Sequence, residues 1–267
     1  MFWFINRVRH DFGGWDRLTR ISVILALVLI LGAVVIFFVG PSEIRTQAAI
    51  SVGGLIVILQ IAILWGNRGM VSTYSQAQRL YLRGDFEAAR AVLEHARSQG
   101  RADARMLTLL GNTHRQLGDL ETSALILSEA VDKAPNHHFP LYGFGRTLLS
   151  QGEYVQAAHY LRRALESGAP PTVLADMGEV YFRLNMRDDA KQTLTMALGS
   201  ESKDAPHRAL MVGYLLGLLD GSARLTPELI RDGLPYWRAS AERYGKTPYG
   251  QALTEDVRAI EKINEEH

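Results

Sequence analysis

The chain has 267 residues, a formal net charge of +1 and no cysteine, which excludes disulfides, thiolate metal sites and a cysteine nucleophile. Residues 1–69 carry six Arg against three acids, leaving 23 Lys and Arg against 25 acids in 70–267. The longer part therefore lacks the basic excess of a nucleic-acid binder.

Residues 1–20 place Phe4, Val8, Phe12 and Trp15 at helical spacing, with Arg7, Arg9 and His10 as a polar side. This pattern predicts an amphipathic segment lying at a membrane interface. Ile21 to Val39 and Gln47 to Trp65 are then two runs of 19 residues without a charge. At the helical rise each spans about 28 Å, which matches a bilayer's hydrocarbon core. Gly40-Pro41 ends the first run, because proline cannot continue the hydrogen-bond ladder. The seven-residue link forces an antiparallel hairpin over about 21–66. Ala49 and Gly53, one turn apart, offer a small-residue contact between the two helices. Arg7, Arg9, Arg17 and Arg20 precede the first span and Arg68, Arg79 and Arg83 follow the second, while the link holds only Arg45. The positive-inside rule then puts both termini in the cytoplasm.

From residue 70 the pattern acquires a period. Gly84-Asp85-Phe86, Gly118-Asp119-Leu120, Gly152-Glu153-Tyr154 and Asn185-Met186-Arg187 lie 34, 34 and 33 residues apart. Each is followed at the same offsets by Leu and Ala: Leu93 and Ala96, Leu127 and Ala130, Leu161 and Ala164, Leu194 and Ala197. A fixed period of this size predicts a solenoid of paired helices. Gly or Asn at the turn takes a positive φ cheaply. Small residues such as Gly111 let the paired helices touch, and the leucines fill the space between them and the next repeat.

These segments, with Leu110-Gly111, Phe144-Gly145, Met177-Gly178, Tyr181 and Pro135, resemble the tetratricopeptide repeat over about 70–204. His114 and Leu148 stand where that family has an aromatic residue, and Ser123 where it has alanine. Beyond 204, Ala209 to Leu219 reads as a buried helix. Thr226-Pro227 and Thr247-Pro248 read as helix starts with a cap and a first-turn proline. Pro235 is expected to interrupt the helix between them, and Glu255 to His267 to form a solvated outer face. Residues 205–267 thus read as a C-terminal helical cap. The fold class is all-α: a two-helix transmembrane hairpin followed by a solenoid.

No G-x-S-x-G, G-x-x-x-x-G-K-[ST], H-E-x-x-H or strand-associated G-x-G-x-x-G occurs. His137-His138 reads as a solvent-facing loop pair, since a metal site needs further ligands and a supporting shell. Asp188-Asp189 reads as helix-dipole complementation. No enzyme, cofactor, metal, nucleic acid or small-molecule substrate is expected.

In the resembled family the first helix of each repeat lines a concave groove. Carried over by position, the resemblance implies a partner-binding face. It comprises Tyr74, Gln78 and Tyr81; Arg105, Asn112, Arg115 and Gln116; Tyr142 and Arg146; and Glu179, Phe182 and Arg183. Asn112 and Arg146 match two positions of the family's chaperone-tail carboxylate clamp, whereas Tyr74, Gln78 and Tyr142 do not. With four Arg against one Glu, the expected ligand is an acidic segment or a free C-terminal carboxylate. The implied function is a membrane-tethered scaffold for assembling or regulating a membrane-associated complex. The alternative is a stoichiometric accessory subunit held through its hairpin, with Gly53-Gly54 and Gln60 facing other spans.

Overall fold

The computed structural model describes residues 17–198, 205–222 and 225–265, with side chains described outside 17–20 and 64–72. Of the interfacial segment expected over 1–20, residues 1–16 lie outside the described residues. Every regular element among them is a helix. Two compact units result, Met1–Asp103 and Ala104–His267.

In the first unit, α1 (Arg17–Val39) and α2 (Ser42–Leu82) form an antiparallel pair joined at Gly40-Pro41. Both carry a run long and apolar enough to cross a membrane, Ile21–Val39 and Ser42–Ile63. Their seam is narrow: Val23, Ala26, Ala48 and Ile63 are buried, while Ile24, Leu25, Leu31 and Phe38 are exposed. The expected small-residue contact does not form. Ala49 is exposed, and a Cβ added to Gly53 or Gly54 would meet nothing within 4 Å. Neighbouring helical residues point about 100° apart, so Ala48 in the seam turns Ala49 outward.

The helix that carries the second expected span does not end at Trp65. α2 continues unbroken for 41 residues, about 60 Å at the helical rise. It therefore supplies both the apolar run and the first helix of the first repeat, whose partner is α3 (Phe86–Ser98). No proline interrupts positions 42–82, and the ladder tolerates Gly66 and Gly69.

In the second unit the repeats are the pairs α4 (Ala104–Gln116) and α5 (Leu120–Lys133), α6 (His138–Gln151) and α7 (Tyr154–Glu166), and α8 (Val173–Arg183) and α9 (Arg187–Ala197). Their turns use left-handed residues as expected, Gly152 at φ 89° and Asn185 at φ 59° among them. Within each pair the helices touch at glycine. A Cβ would meet Leu161 at 2.9 Å on Gly145 and Leu194 at 2.6 Å on Gly178, and on Gly111 it would run into Leu127.

Two departures from the repeat pattern have local reasons. His114, replacing an aromatic, pairs its Nδ1 with Asp119 Oδ2 at 3.1 Å across the turn. Ser123, replacing alanine, donates to Gly111 O at 2.8 Å and lies 2.9 Å from Thr147 Oγ1, tying two repeats together.

Then come α10 (Pro206–Asp220), α11 (Pro227–Tyr244) and α12 (Pro248–Glu265). Both expected threonine caps form: Thr226 accepts from Leu229 N at 3.2 Å and Thr247 from Gly250 N at 3.1 Å. Pro235 does not break α11. It lies on the exposed side with Arg231, so the carbonyl it leaves without a donor reaches water.

Nor is α12 a solvated outer face throughout. Tyr249, Gly250, Leu253, Asp256, Val257 and Ile260 are buried as one stripe, and only the opposite side, with Glu255 and Arg258, faces water. One apolar core runs from Leu148 and Leu161 through Leu194 and Leu215 to Trp237, Leu253 and Ile260.

Candidate functional site

The first helices of the repeats in the second unit, α4, α6 and α8, present one inner face. α11 and α12 lie on it. α11 starts beside α10, where Trp237 Nε1 donates to His207 O at 2.6 Å. It ends at α4, where Tyr244 Oη donates to Arg115 O at 3.2 Å and Arg243 Nη1 to Gln116 Oε1 at 2.8 Å. The chain then turns at α6: Thr247 Oγ1 donates to Ser150 O at 2.8 Å, and Pro248 packs on Gly152. α12 returns toward α8, where Arg183 pairs with Asp256 and lies 5.8 Å from the Tyr249 ring centre.

The residues of the expected groove lie at different depths in this arrangement. Arg115 and Glu179 are 3 % and 2 % exposed, and the Arg183 side chain is 7 % exposed. Tyr142, Arg146, Phe182, Gln116 and Asn112 are partly buried, and Arg105 is exposed. Tyr74, Gln78 and Tyr81 belong to the first unit, where Tyr81 stacks edge-on against Phe86. Arg115, Gln116, Arg146 and Arg183 are thus bonded to the protein's own C-terminal helices.

The expected basic character is also modified. Asp176, unremarked in the sequence, sits among Arg146 Nε at 3.4 Å, Arg208 Nη1 at 3.5 Å and Tyr142 Oη, which donates to it at 2.5 Å. Burial opposes ionisation of Asp176, yet Arg146 and Arg208 hold its carboxyl below the ordinary range. Arg208 Nη2 also donates to Tyr142 Oη at 2.8 Å. Beside this cluster, Arg183 bridges Glu179, at 3.2 Å, and Asp256. Burial pushes the Glu179 carboxyl up, against the attraction of Arg183.

Tyr236 of α11 reaches Arg146 Nη2 at 3.5 Å. Burial alone would raise its hydroxyl, but Arg146 and Arg115 bring it below its ordinary value. His207, stacked on Tyr236, is pushed down to about 4 by burial and then by Arg208 and Arg146.

The His137-His138 pair does not gather further ligands: the two rings stack at 4.8 Å, and His137 Nδ1 caps α6 by accepting from Phe139 N at 3.2 Å. No group of His, Asp and Glu suited to a metal ion occurs among the described residues.

Helices paired at a 34-residue period, touching at a glycine and turning at left-handed residues, define a helical-repeat protein of the kind that binds other proteins. Family models described as tetratricopeptide repeat match residues 74–138 and 148–212, so tetratricopeptide repeats are present over just under half of the chain. No curated protein matches the sequence significantly.

Solved structures with a similar fold include Cut9–Hcn1 of APC/C, 15 % identical, covering 87 % of this chain and 46 % of that chain with a TM-score of 0.50. TTC0263, a repeat protein from Thermus thermophilus, is 20 % identical over 71 % of this chain and 97 % of its own, with a TM-score of 0.47. YrrB, a repeat protein with an unusual peptide-binding site, is 15 % identical over 70 % and 89 %, with a TM-score of 0.45. At these identities the likeness concerns the fold alone.

Proposed function

We propose that the chain is a membrane-tethered repeat scaffold. In this reading α1 and the first half of α2 cross the bilayer, both termini are cytoplasmic, and the repeats engage protein partners in assembling or regulating a membrane-associated complex. The observation that carries it is exposure. Only 11 % of each apolar run is buried. A core helix of a soluble protein would be covered, whereas lipid is the solvent that suits such a surface.

The absence of cysteine makes a direct test available. Single cysteines replacing Ser42, in the hairpin link, and Glu121, on α5, are probed with a membrane-impermeant maleimide. Labelling of Ser42→Cys in intact cells, with Glu121→Cys labelled only after lysis, is expected. The reverse pattern overturns the orientation, and release of the protein by alkaline carbonate overturns the anchoring.

A second reading, a stoichiometric accessory subunit held through the hairpin, gains from two observations. The inner repeat face is already occupied by α11 and α12. On α2, Gly53, Gly54 and the polar Gln60 are exposed within the apolar run. Gel filtration in mild detergent separates the readings: an accessory subunit elutes with a fixed partner, and Gly53→Leu releases it, while a transient scaffold elutes alone. Within the expected acidic-segment site, Arg183 is paired with the protein's own Asp256.

A further inference from the structure

We propose that Arg115, Arg146 and Arg208 form a binding site for a phosphate-class oxyanion. The argument starts from charge. Arg146 and Arg208 meet at one carboxylate, Asp176, and the charge of Arg115 on α4 also acts on it. Its two oxygens are already engaged, Oδ1 by Arg146 and Oδ2 by Arg208 and Tyr142. The nearby Glu179 and Asp256 are held by Arg183.

Arg115 is left over. It is 3 % exposed, its Nη2 reaches Asn112 Oδ1 at 3.4 Å, and its Nε has no acceptor. Among the described residues no carboxylate comes within ion-pair distance of it. A guanidinium buried without a counter-ion is strongly disfavoured, so the arrangement calls for an anion from outside.

Access exists, because the Arg146 and Arg208 side chains remain 20 % and 18 % exposed. Tyr236, beside the cluster, is held below its ordinary value by Arg146 and Arg115 although burial pushes it up. Three cations against one carboxylate leave two positive charges, and Arg183, facing the two carboxylates Glu179 and Asp256, returns one negative charge beside them. The surplus is one positive charge. A phosphate monoanion matches it, and its oxygens offer acceptors to more of the forked guanidinium donors than the two oxygens of a carboxylate can. Free phosphate and a phosphomonoester on a larger molecule share this chemistry.

The test uses the full chain in neutral detergent micelles. Thermal unfolding and titration calorimetry are followed with inorganic phosphate, with glycerol 3-phosphate, and with chloride at matched ionic strength. Saturable stabilisation by either phosphate compound beyond that of chloride is expected, and the tighter of the two names the source. Arg115→Gln should unfold in chloride no lower than the wild type, because it removes an uncompensated charge. It should bind phosphate at least about tenfold more weakly, through loss of a charge-assisted pair. Arg115→Met, which keeps the bulk of the side-chain stem, should do the same. Phosphate acting no differently from chloride, or both variants retaining wild-type phosphate affinity, would overturn the proposal.

Discussion

Replacing Arg183 by Met tests whether the inner face of the repeats is filled. In the structure the Arg183, Glu179 and Asp256 side chains are 7 %, 3 % and 10 % exposed. Removing the guanidinium strands two carboxylates in a buried site. Breaking a buried pair in this way costs about 3–5 kcal/mol, whereas the same pair in an open, solvated groove is worth about 0–1 kcal/mol. For a protein of this size, the first figure lowers Tm by roughly 10 °C. The assay is calorimetric unfolding of the full chain in detergent.

The pH dependence adds a second handle. The folded Glu179 carboxyl already lies above its ordinary value of 4.5 because of burial. Without Arg183 it rises further, so the native state binds a proton before the unfolded state does. The deficit of Arg183→Met must therefore shrink as pH falls from 7 toward 5. A variant within 1 kcal/mol of the wild type, or a deficit indifferent to pH, would refute the filled-face reasoning.

Asp176 has the opposite sign. Its folded carboxyl lies below the ordinary 3.8, so its contribution is present above that value and is lost as pH falls through the depressed folded value; Asp176→Asn should flatten the acid limb of a stability–pH profile. Gly178→Ala puts a methyl 2.6 Å from Leu194 Cγ and should cost about 1–3 kcal/mol by overpacking, read from urea unfolding. Asp119→Ala removes the acceptor of Thr122 N and the partner of His114, and should cost about 1 kcal/mol or more. In the hairpin, Ala48→Leu should disrupt the seam and Gly53→Leu should not, measured as helix-pair crosslinking between cysteines placed at Val23 and Ile63.

The repeats were legible because each position in the period has one physical task. A left-handed turn wants Gly or Asn, a helix–helix touch wants no side chain, and the opposing space wants Leu. The return of α11 and α12 onto the inner face was not legible, since neither helix repeats anything. A signal was nevertheless present. Tyr249, Leu253, Asp256, Val257 and Ile260 share one helical face, and an acid inside an otherwise apolar stripe points to a buried cation, here Arg183.

Asp176 escaped notice for a related reason. Its partners Arg146 and Arg208 are 30 and 32 residues away in sequence. The hairpin seam was displaced by one residue, from Ala49 to Ala48. An apolar run long enough to cross a membrane has no polar stripe to fix its rotation.

The unbroken course of α2 from Ser42 to Leu82 makes it a mechanical shaft. A flexible tether would let the first repeat swivel freely, but a helix transmits torque and tilt along its axis. Each residue inserted between the apolar run and Tyr74 would advance the repeat by about 1.5 Å and turn it by about 100°, while seven residues would nearly restore its heading. In the membrane-tethered reading, the spacing between bilayer and repeat is thus encoded as an angle as much as a distance. A change in the tilt of the span would swing the α2–α3 repeat as a lever.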